Sequence, residues 1–174
     1  MRYVSRFSWL VLMIWFMGSV AEAQRSMAAE ELDLGTEAYR HARYDDAIEH
    51  FQRAVSLDPT KWVAHLYLAT AYAQEYIPGA DGAANLTRGE RAIQEYKKVL
   101  ELDSSRLDAV KGIAYLYLQM KKFEDATQYY RQGIAIDPKD PEMYYSIGVI
   151  DWTQSYQRRM EMRKKLNVKP VASN

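Results

Sequence analysis

The sequence predicts an all-α protein built of stacked helical hairpins, and three observations carry the prediction. A residue pattern returns after 34 residues, so that Ala92, Tyr96 and Asp103 reappear as Ala126, Tyr130 and Asp137. An upstream copy reads Gly35, Ala47, Phe51, Leu57, Asp58 and Pro59, and a further one begins at Ile147-Gly148. Small and large apolar residues alternate within each copy at helical spacing, and a fixed period near this length marks helix pairs that bury their apolar faces only against their neighbours.

At the N-terminus, Arg2 and Arg6 precede an apolar run from Phe7 to Val20, and Ala21-Glu22-Ala23 follows. That order is the pattern of a secretory signal with an A-x-A cleavage site, so residues 1–23 are set apart from the fold. The run is shorter than the roughly 18 residues of a membrane span, which favours cleavage. Trp15 and Phe16 keep an uncleaved anchor as the alternative. The expected location is export, to a periplasm first and to the exterior second, with no membrane span left after cleavage. The chain has no cysteine, hence no disulfide framework and no thiolate metal site.

The first repeat is expected over residues 28–61, the second over 62–106 and the third over 107–140. Gly35 to Ala69 is 34 residues but Ala47 to Ala92 is 45, so 11 extra residues lie between the two helices of the second repeat. The Pro78-Gly79 and Asp81-Gly82 turn signals place them in an inserted loop at about 76–87. Thr87-x-x-Glu90 reads as a capping box that ends the loop, which also accounts for the Asn85-Leu86-Thr87 sequon without a sugar. Seven main helices follow, with the longest break between Gln74 and Thr87. Asp140-Pro141 opens a final half repeat over 141–166. Its end, from Gln157 to Leu166, is a basic amphipathic helix, read as a polar cap on the stack with an anionic docking patch as the alternative. Residues 167–174 are expected to be a disordered tail.

Leu34-Gly35, Leu68-Ala69 with Tyr72, Ile113-Ala114 with Tyr117, and Tyr144 with Ile147-Gly148 match the first part of W-x2-L-G-x2-Y, A-x3-F, P. Ala47-x3-Phe51, Ala92-x3-Tyr96 and Ala126-x3-Tyr130 match the second part, and Pro59 and Pro138 the third. By these residues the chain resembles the tetratricopeptide repeat (TPR) family over about residues 28 to 154. Ala38, Ser104 and Asp151 depart from the signature and weaken single repeats. The resemblance implies a TPR-type helical hairpin solenoid, a right-handed superhelix of three repeats plus a C-terminal half repeat or capping helix, from an exported bacterial TPR-containing protein. Small residues at Gly35, Ala69, Ala114 and Gly148 would let paired helices approach closely, as would Ala47, Ala92 and Ala126 from the other side. Tyr72, Tyr96, Tyr117 and Tyr130 would fill the core between them.

Nothing in the sequence has the form of a catalytic site. His41, His50 and His65 are spaced by 9 and 15 residues, which puts no two on one helix face. Asp45, Asp46, Glu124 and Asp125 fall where second helices begin and complement the helix dipole. There is no phosphate loop, nucleophile elbow or metal-ligand cluster, so neither enzyme activity nor a cofactor is expected. The 23 basic and 23 acidic residues balance, which argues against a nucleic-acid partner.

In the family the first helices line a concave groove. Helical spacing then nominates Leu32, Thr36 and Tyr39; Leu66, Thr70 and Ala73; Lys111, Tyr115 and Leu118; and Tyr145, Val149 and Trp152. Of these, Tyr39, Leu66, Thr70, Lys111, Tyr115, Tyr145, Val149 and Trp152 are the expected partner-binding residues. A relative that clamps a chaperone's terminal carboxylate carries Lys, Asn and Arg in this groove, where this chain has Leu32, Thr36, Tyr67, Asp108 and Gly112. The clamp is therefore absent. The expected function is a non-catalytic scaffold or adaptor of the cell envelope that takes a peptide or helix. The alternatives are a structural subunit that self-associates through Tyr145 and Trp152 as a homo-oligomer, and a shortened member of a longer TPR array.

Overall fold

The computed structural model describes the backbone of residues 4–167 and the side chains of residues 20–167. Among the described residues there are seven α-helices and no strand: α1 (Val4–Arg40), α2 (Tyr44–Leu57), α3 (Trp62–Glu75), α4 (Ala83–Leu102), α5 (Leu107–Gln119), α6 (Phe123–Ile136) and α7 (Pro141–Lys165). They form two compact units, Met1–Ala109 and Val110–Asn174, with the boundary inside α5. No helix of the described residues is long and apolar enough to cross a membrane. The apolar run 7–20 lies almost wholly outside the described side chains, as do residues 168–174 of the expected tail.

In the first unit α1 packs on α2, α2 on α3, and α3 on α4. The small residues of the repeat set these distances. A Cβ on Gly35 would lie 2.5 Å from Phe51 Cε1, so the ring of α2 rests directly on the α1 backbone. Ala47, Ala69 and Ala92 are completely buried in this unit, and Ala114 and Ala126 in the second. Phe51, Tyr72, Tyr96 and Tyr130 are buried as expected, whereas Tyr117 is half-buried and pairs with the Tyr129 ring at 5.8 Å.

The tight turns inside two hairpins are made without glycine. Ala42 (φ 55°) and Lys121 (φ 58°) hold the left-handed conformation that ends α1 and α5. Arg43 N donates to Ala38 O and Lys122 N to Tyr117 O, which closes a Schellman turn at each place. Between repeats the recurring aspartate does the turning. Asp58 Oδ1 accepts from Thr60 N at 3.1 Å, Asp103 Oδ1 from Ser105 N at 3.0 Å and Asp137 Oδ1 from Lys139 N at 3.0 Å. This explains why the aspartate recurs more strictly than the proline after it. Asp45, Asp46, Glu124 and Asp125 do lie in first helical turns.

The expected end of the inserted loop and its capping box are corrected, and the C-terminal segments join in one helix. The connection between α3 and α4 is the longest of the described helices, but it covers 76–82, because α4 begins at Ala83. The 11 extra residues therefore divide between this loop and α4, which has 20 residues where α6 has 14. The Thr87–Glu90 capping box does not form: Thr87 lies inside α4, and its hydroxyl donates to Ala83 O at 2.8 Å. Asn85 organises the loop instead. Its side chain accepts from Ile77 N at 2.8 Å and donates to Ile77 O and Ala80 O, around a Pro78-Gly79 turn with Gly79 at φ 77°. At the N-terminus, α1 runs without a break through Ala23, although burial starts only at Ala28. At the C-terminus, the half repeat and the basic segment are one 25-residue helix, and its last buried residue is Ile150.

Two of the histidines, His50 and His65, tie helices together. His50 Nδ1 on α2 and Arg53 Nε both meet Glu31 Oε2 of α1, at 2.7 and 3.0 Å. This hydrogen bond to His50 is the main reason the Glu31 carboxyl is held below its ordinary range. His65 of α3 is buried between Glu95 Oε2 of α4 at 2.7 Å and Pro59 O at 3.0 Å. A carboxylate and a carbonyl can only accept, so both ring nitrogens must carry a proton, and the imidazolium is the form that fits. Its pKa is raised accordingly, by the Glu95 hydrogen bond first, against the opposing effect of burial and of Lys98.

A testable consequence is a pH-dependent stability. A raised folded-state pKa stabilises fully below the unfolded value of about 6.5 and loses that contribution as pH climbs through the folded-state pKa. Urea midpoints should therefore fall from pH 6 into the alkaline range in the parent, and fall less in His65→Gln. Parallel pH profiles for the two proteins would show that His65 is not held charged.

Candidate functional site

The first unit contains one apolar pocket of about 250 Å³, lined by Thr36, Tyr39, Phe51, Leu66, Tyr67, Thr70, Tyr96 and Asp108. Each helix contributes for a local reason. Thr36 on α1 and Thr70 on α3 occupy equivalent repeat positions, and each hydroxyl donates to the carbonyl four residues back, Leu32 O and Leu66 O, both at 2.8 Å. Neither therefore brings an unsatisfied donor to the pocket. Phe51 reaches it from α2 because Gly35 lets the ring pass close to α1, and it also meets Tyr67 with ring centroids 5.6 Å apart. Tyr96 comes from α4, with its hydroxyl 3.2 Å from Thr70 Oγ1. Burial raises the phenol's pKa, so it stays neutral. Tyr39 stands edge-on to Tyr44 at 5.3 Å.

The only charged lining residue is Asp108. Arg106 holds it in a two-pronged ion pair while its own guanidinium lies 3.8 Å over the Trp62 ring. No Lys or Arg lines the pocket. A free peptide carboxylate would meet Asp108 here, and the guanidinium beside it is already held by that aspartate.

Tyr39, Leu66 and Thr70 are thus brought together as the spacing suggested. Leu32 is buried instead, and Ala73 is half-buried and takes no part. The repeat pattern gives Phe51 as a motif residue and Tyr96 as a core residue, and the structure adds both to the pocket. Both rings are buried and line the pocket as well.

In the second unit Lys111 is already engaged, with Nζ 2.6 Å from both Asp140 Oδ2 and Glu142 Oε2. The pairing raises the Lys111 pKa and, with the Glu142 amide, lowers that of Asp140. Lys111 therefore joins α5 to the start of α7 and offers no free cation to a partner. Tyr115, Tyr145, Val149 and Trp152 are exposed. Trp152 stacks on Tyr156 one turn later, with centroids 5.6 Å apart and planes 18° from parallel. Among the described residues no group of three or more His, Asp or Glu side chains could hold a metal ion.

Two tetratricopeptide repeat family models match the chain, over residues 32–75 and 87–147. The chain belongs to the tetratricopeptide repeat family. Its 11-residue insertion is where the two matches part. Similar curated proteins include the DnaJ homolog subfamily C member 7 homolog of Schizosaccharomyces pombe, 25% identical over 142 residues, and Hsp70-Hsp90 organizing protein 3 of Arabidopsis thaliana, 30% identical over 117. These alignments cover 80% and 67% of this chain but only 28% and 19% of those proteins. Among solved structures, the first TPR of Spaghetti (RPAP3) bound to the HSP90 peptide SRMEEVD has a TM-score of 0.64 at 18% identity, covering 75% of this chain and 95% of that one. MamA has a TM-score of 0.65 at 21% identity, with 87% of each chain covered. These likenesses establish the fold of repeated helical hairpins.

The pocket depends on the Gly35–Phe51 contact, and this can be tested. Gly35→Ala should push the ring or the helix aside and cost about 1–3 kcal/mol. A denaturant midpoint equal to the parent's would show that the contact can relax at no cost.

Proposed function

We propose that this protein is a non-catalytic interaction module that seats an apolar side chain of a partner peptide or helix in the pocket of the first unit. The observation that carries the reading is the pocket itself: aromatic, apolar and about the size of one or two side chains, on a fold that in RPAP3 holds chaperone peptides. Those peptides, SRMEEVD and SGPTIEEVD, share an acidic end, and here the chemistry parts from theirs. With Thr36, Tyr67 and Asp108 lining the pocket and no cation among them, recognition rests on burial of apolar surface and not on a terminal carboxylate.

Selection of displayed peptides against the purified protein tests the reading. Selected peptides should carry an apolar or aromatic anchor, amidation of their C-terminus should change the Kd by less than about twofold, and Thr70→Arg should abolish binding. Peptides that need a free carboxylate, or that bind Thr70→Arg as well as the parent, would displace the pocket from this role.

We also propose that the protein works in the cell envelope, because Arg2, Arg6, the apolar run to Val20 and Ala21-Glu22-Ala23 have the order of an export signal. Residues 1–27 fused to a phosphatase that is active only outside the cytoplasm should give active enzyme in bacterial cells. Activity no higher than that of the unfused phosphatase would argue for a cytoplasmic protein.

A further inference from the structure

We propose that α7 is the first half of a hairpin that a partner protein completes: a partner helix with a basic residue, then a small one, then an aromatic four residues after the small one packs antiparallel on α7, its ring on Gly148 and its cation on Asp151. This does not depend on the pocket of the first unit. Gly148 holds the repeat position of Gly35, Ala69 and Ala114. In the first repeat a Cβ on Gly35 would lie 2.5 Å from Phe51 Cε1 of the second helix. Ala69 and Ala114 are completely buried, and beside Ala69 the hydroxyl of Tyr96, from α4, lies 3.2 Å from Thr70 Oγ1. A Cβ on Gly148 would meet nothing within 4 Å. The seat that a second helix fills in the first two repeats is open on α7.

The repeat itself states what fits. The covering helices of the first unit carry Ala47-x3-Phe51 and Ala92-x3-Tyr96, and α6 carries Ala126-x3-Tyr130. The small residue lets two helices approach, and the ring four residues on fills the space beside the first helix. Charge adds the third requirement. Asp151 stands in α7 where α3 has Tyr72, and the Arg91 guanidinium, just before Ala92, lies 5.8 Å from the centroid of the Tyr72 ring. A basic residue in that place of a partner helix would meet the Asp151 carboxylate, which is exposed and borders a groove of about 520 Å³ between α6 and α7.

The chain does not fill this seat from its own residues. The first helices α3 and α5 end after 14 and 13 residues, whereas α7 runs on for 25, so it does not turn where a second helix would begin. Residues 157–174 contain no aromatic side chain to lay on Gly148. A second copy is no better supplied. The order basic, small, three residues, aromatic occurs in this sequence at Arg91-Ala92-x3-Tyr96, where Tyr96 is buried and α4 is packed on α3. The occupant is therefore a helix of another protein.

The test is selection of displayed helices of about 20 residues, randomised along one face, on the Thr70→Arg protein, so that the pocket of the first unit takes no part. Enriched sequences should carry Lys or Arg, then Ala, Gly or Ser, then Phe or Tyr four residues after the small one. Synthetic copies should bind the parent and Thr70→Arg equally. Gly148→Leu puts a side chain into the open notch, and should weaken binding by about tenfold or more with unchanged helical circular dichroism; Asp151→Lys should weaken it by a similar factor. Glu in place of the peptide's basic residue should restore binding to Asp151→Lys, a rescue that a misfolded variant could not show. Selection without this order, peptides that bind Gly148→Leu as tightly as the parent, or a Glu peptide that fails to rescue would each overturn the proposal. So would a dimer of the parent that Gly148→Leu abolishes, since the seat would then belong to a second copy.

Discussion

The contact on which the first unit depends is an aromatic ring lying on bare backbone. Phe51 sits where any Cβ on Gly35 would be, and this sets how closely α1 and α2 approach. Close approach has two results. It brings Ala47 and Ala54 fully out of water, so that the hairpin gains a dry interface from small side chains. It also makes the ring part of the wall of the pocket. Packing and binding surface are consequences of one steric fact.

Polar groups do a different task, which is to fix where helices end and which neighbour they meet. The side chains of Asp58, Asp103 and Asp137 cap the turns that follow α2, α4 and α6. His50 with Glu31, and His65 with Glu95, join successive helices by charge-assisted hydrogen bonds. His65 is the more consequential because it is buried between two acceptors, so the α3–α4 pairing is coupled to its protonation.

Much of this was legible in the residues, and the exceptions are instructive. The spacing of Ala47, Ala69, Ala92 and Ala114 located an 11-residue insertion between α3 and α4, which is where the structure has it. It could not say how those residues divide between loop and helix. Thr87 and Glu90 had the form of a capping box, but an earlier helix start satisfies the backbone one turn sooner, and Asn85, in the first turn of α4 with three side-chain hydrogen bonds to the loop backbone, makes that start specific. Similarly Gln157 to Leu166 had the composition of a polar capping helix. Nothing between Thr153 and Gln157 breaks a helix, so α7 simply continues. Histidine spacing excluded two ligands on one helix face, yet it was silent on partners across helices.

The sequence by itself determined the class of fold, the hairpin register and the small and aromatic core positions other than Gly148 and Tyr117, because a 34-residue period forces equivalent residues into equivalent environments. Only the tertiary structure decided that Tyr39, Leu66 and Thr70 share a pocket with Phe51 and Tyr96, that Lys111 is already held by Asp140 and Glu142, and that Gly148 is open. The reason is physical. Periodicity states which face of a helix a residue occupies, but what stands opposite that face, ring, carboxylate or nothing, depends on contacts between segments distant in sequence.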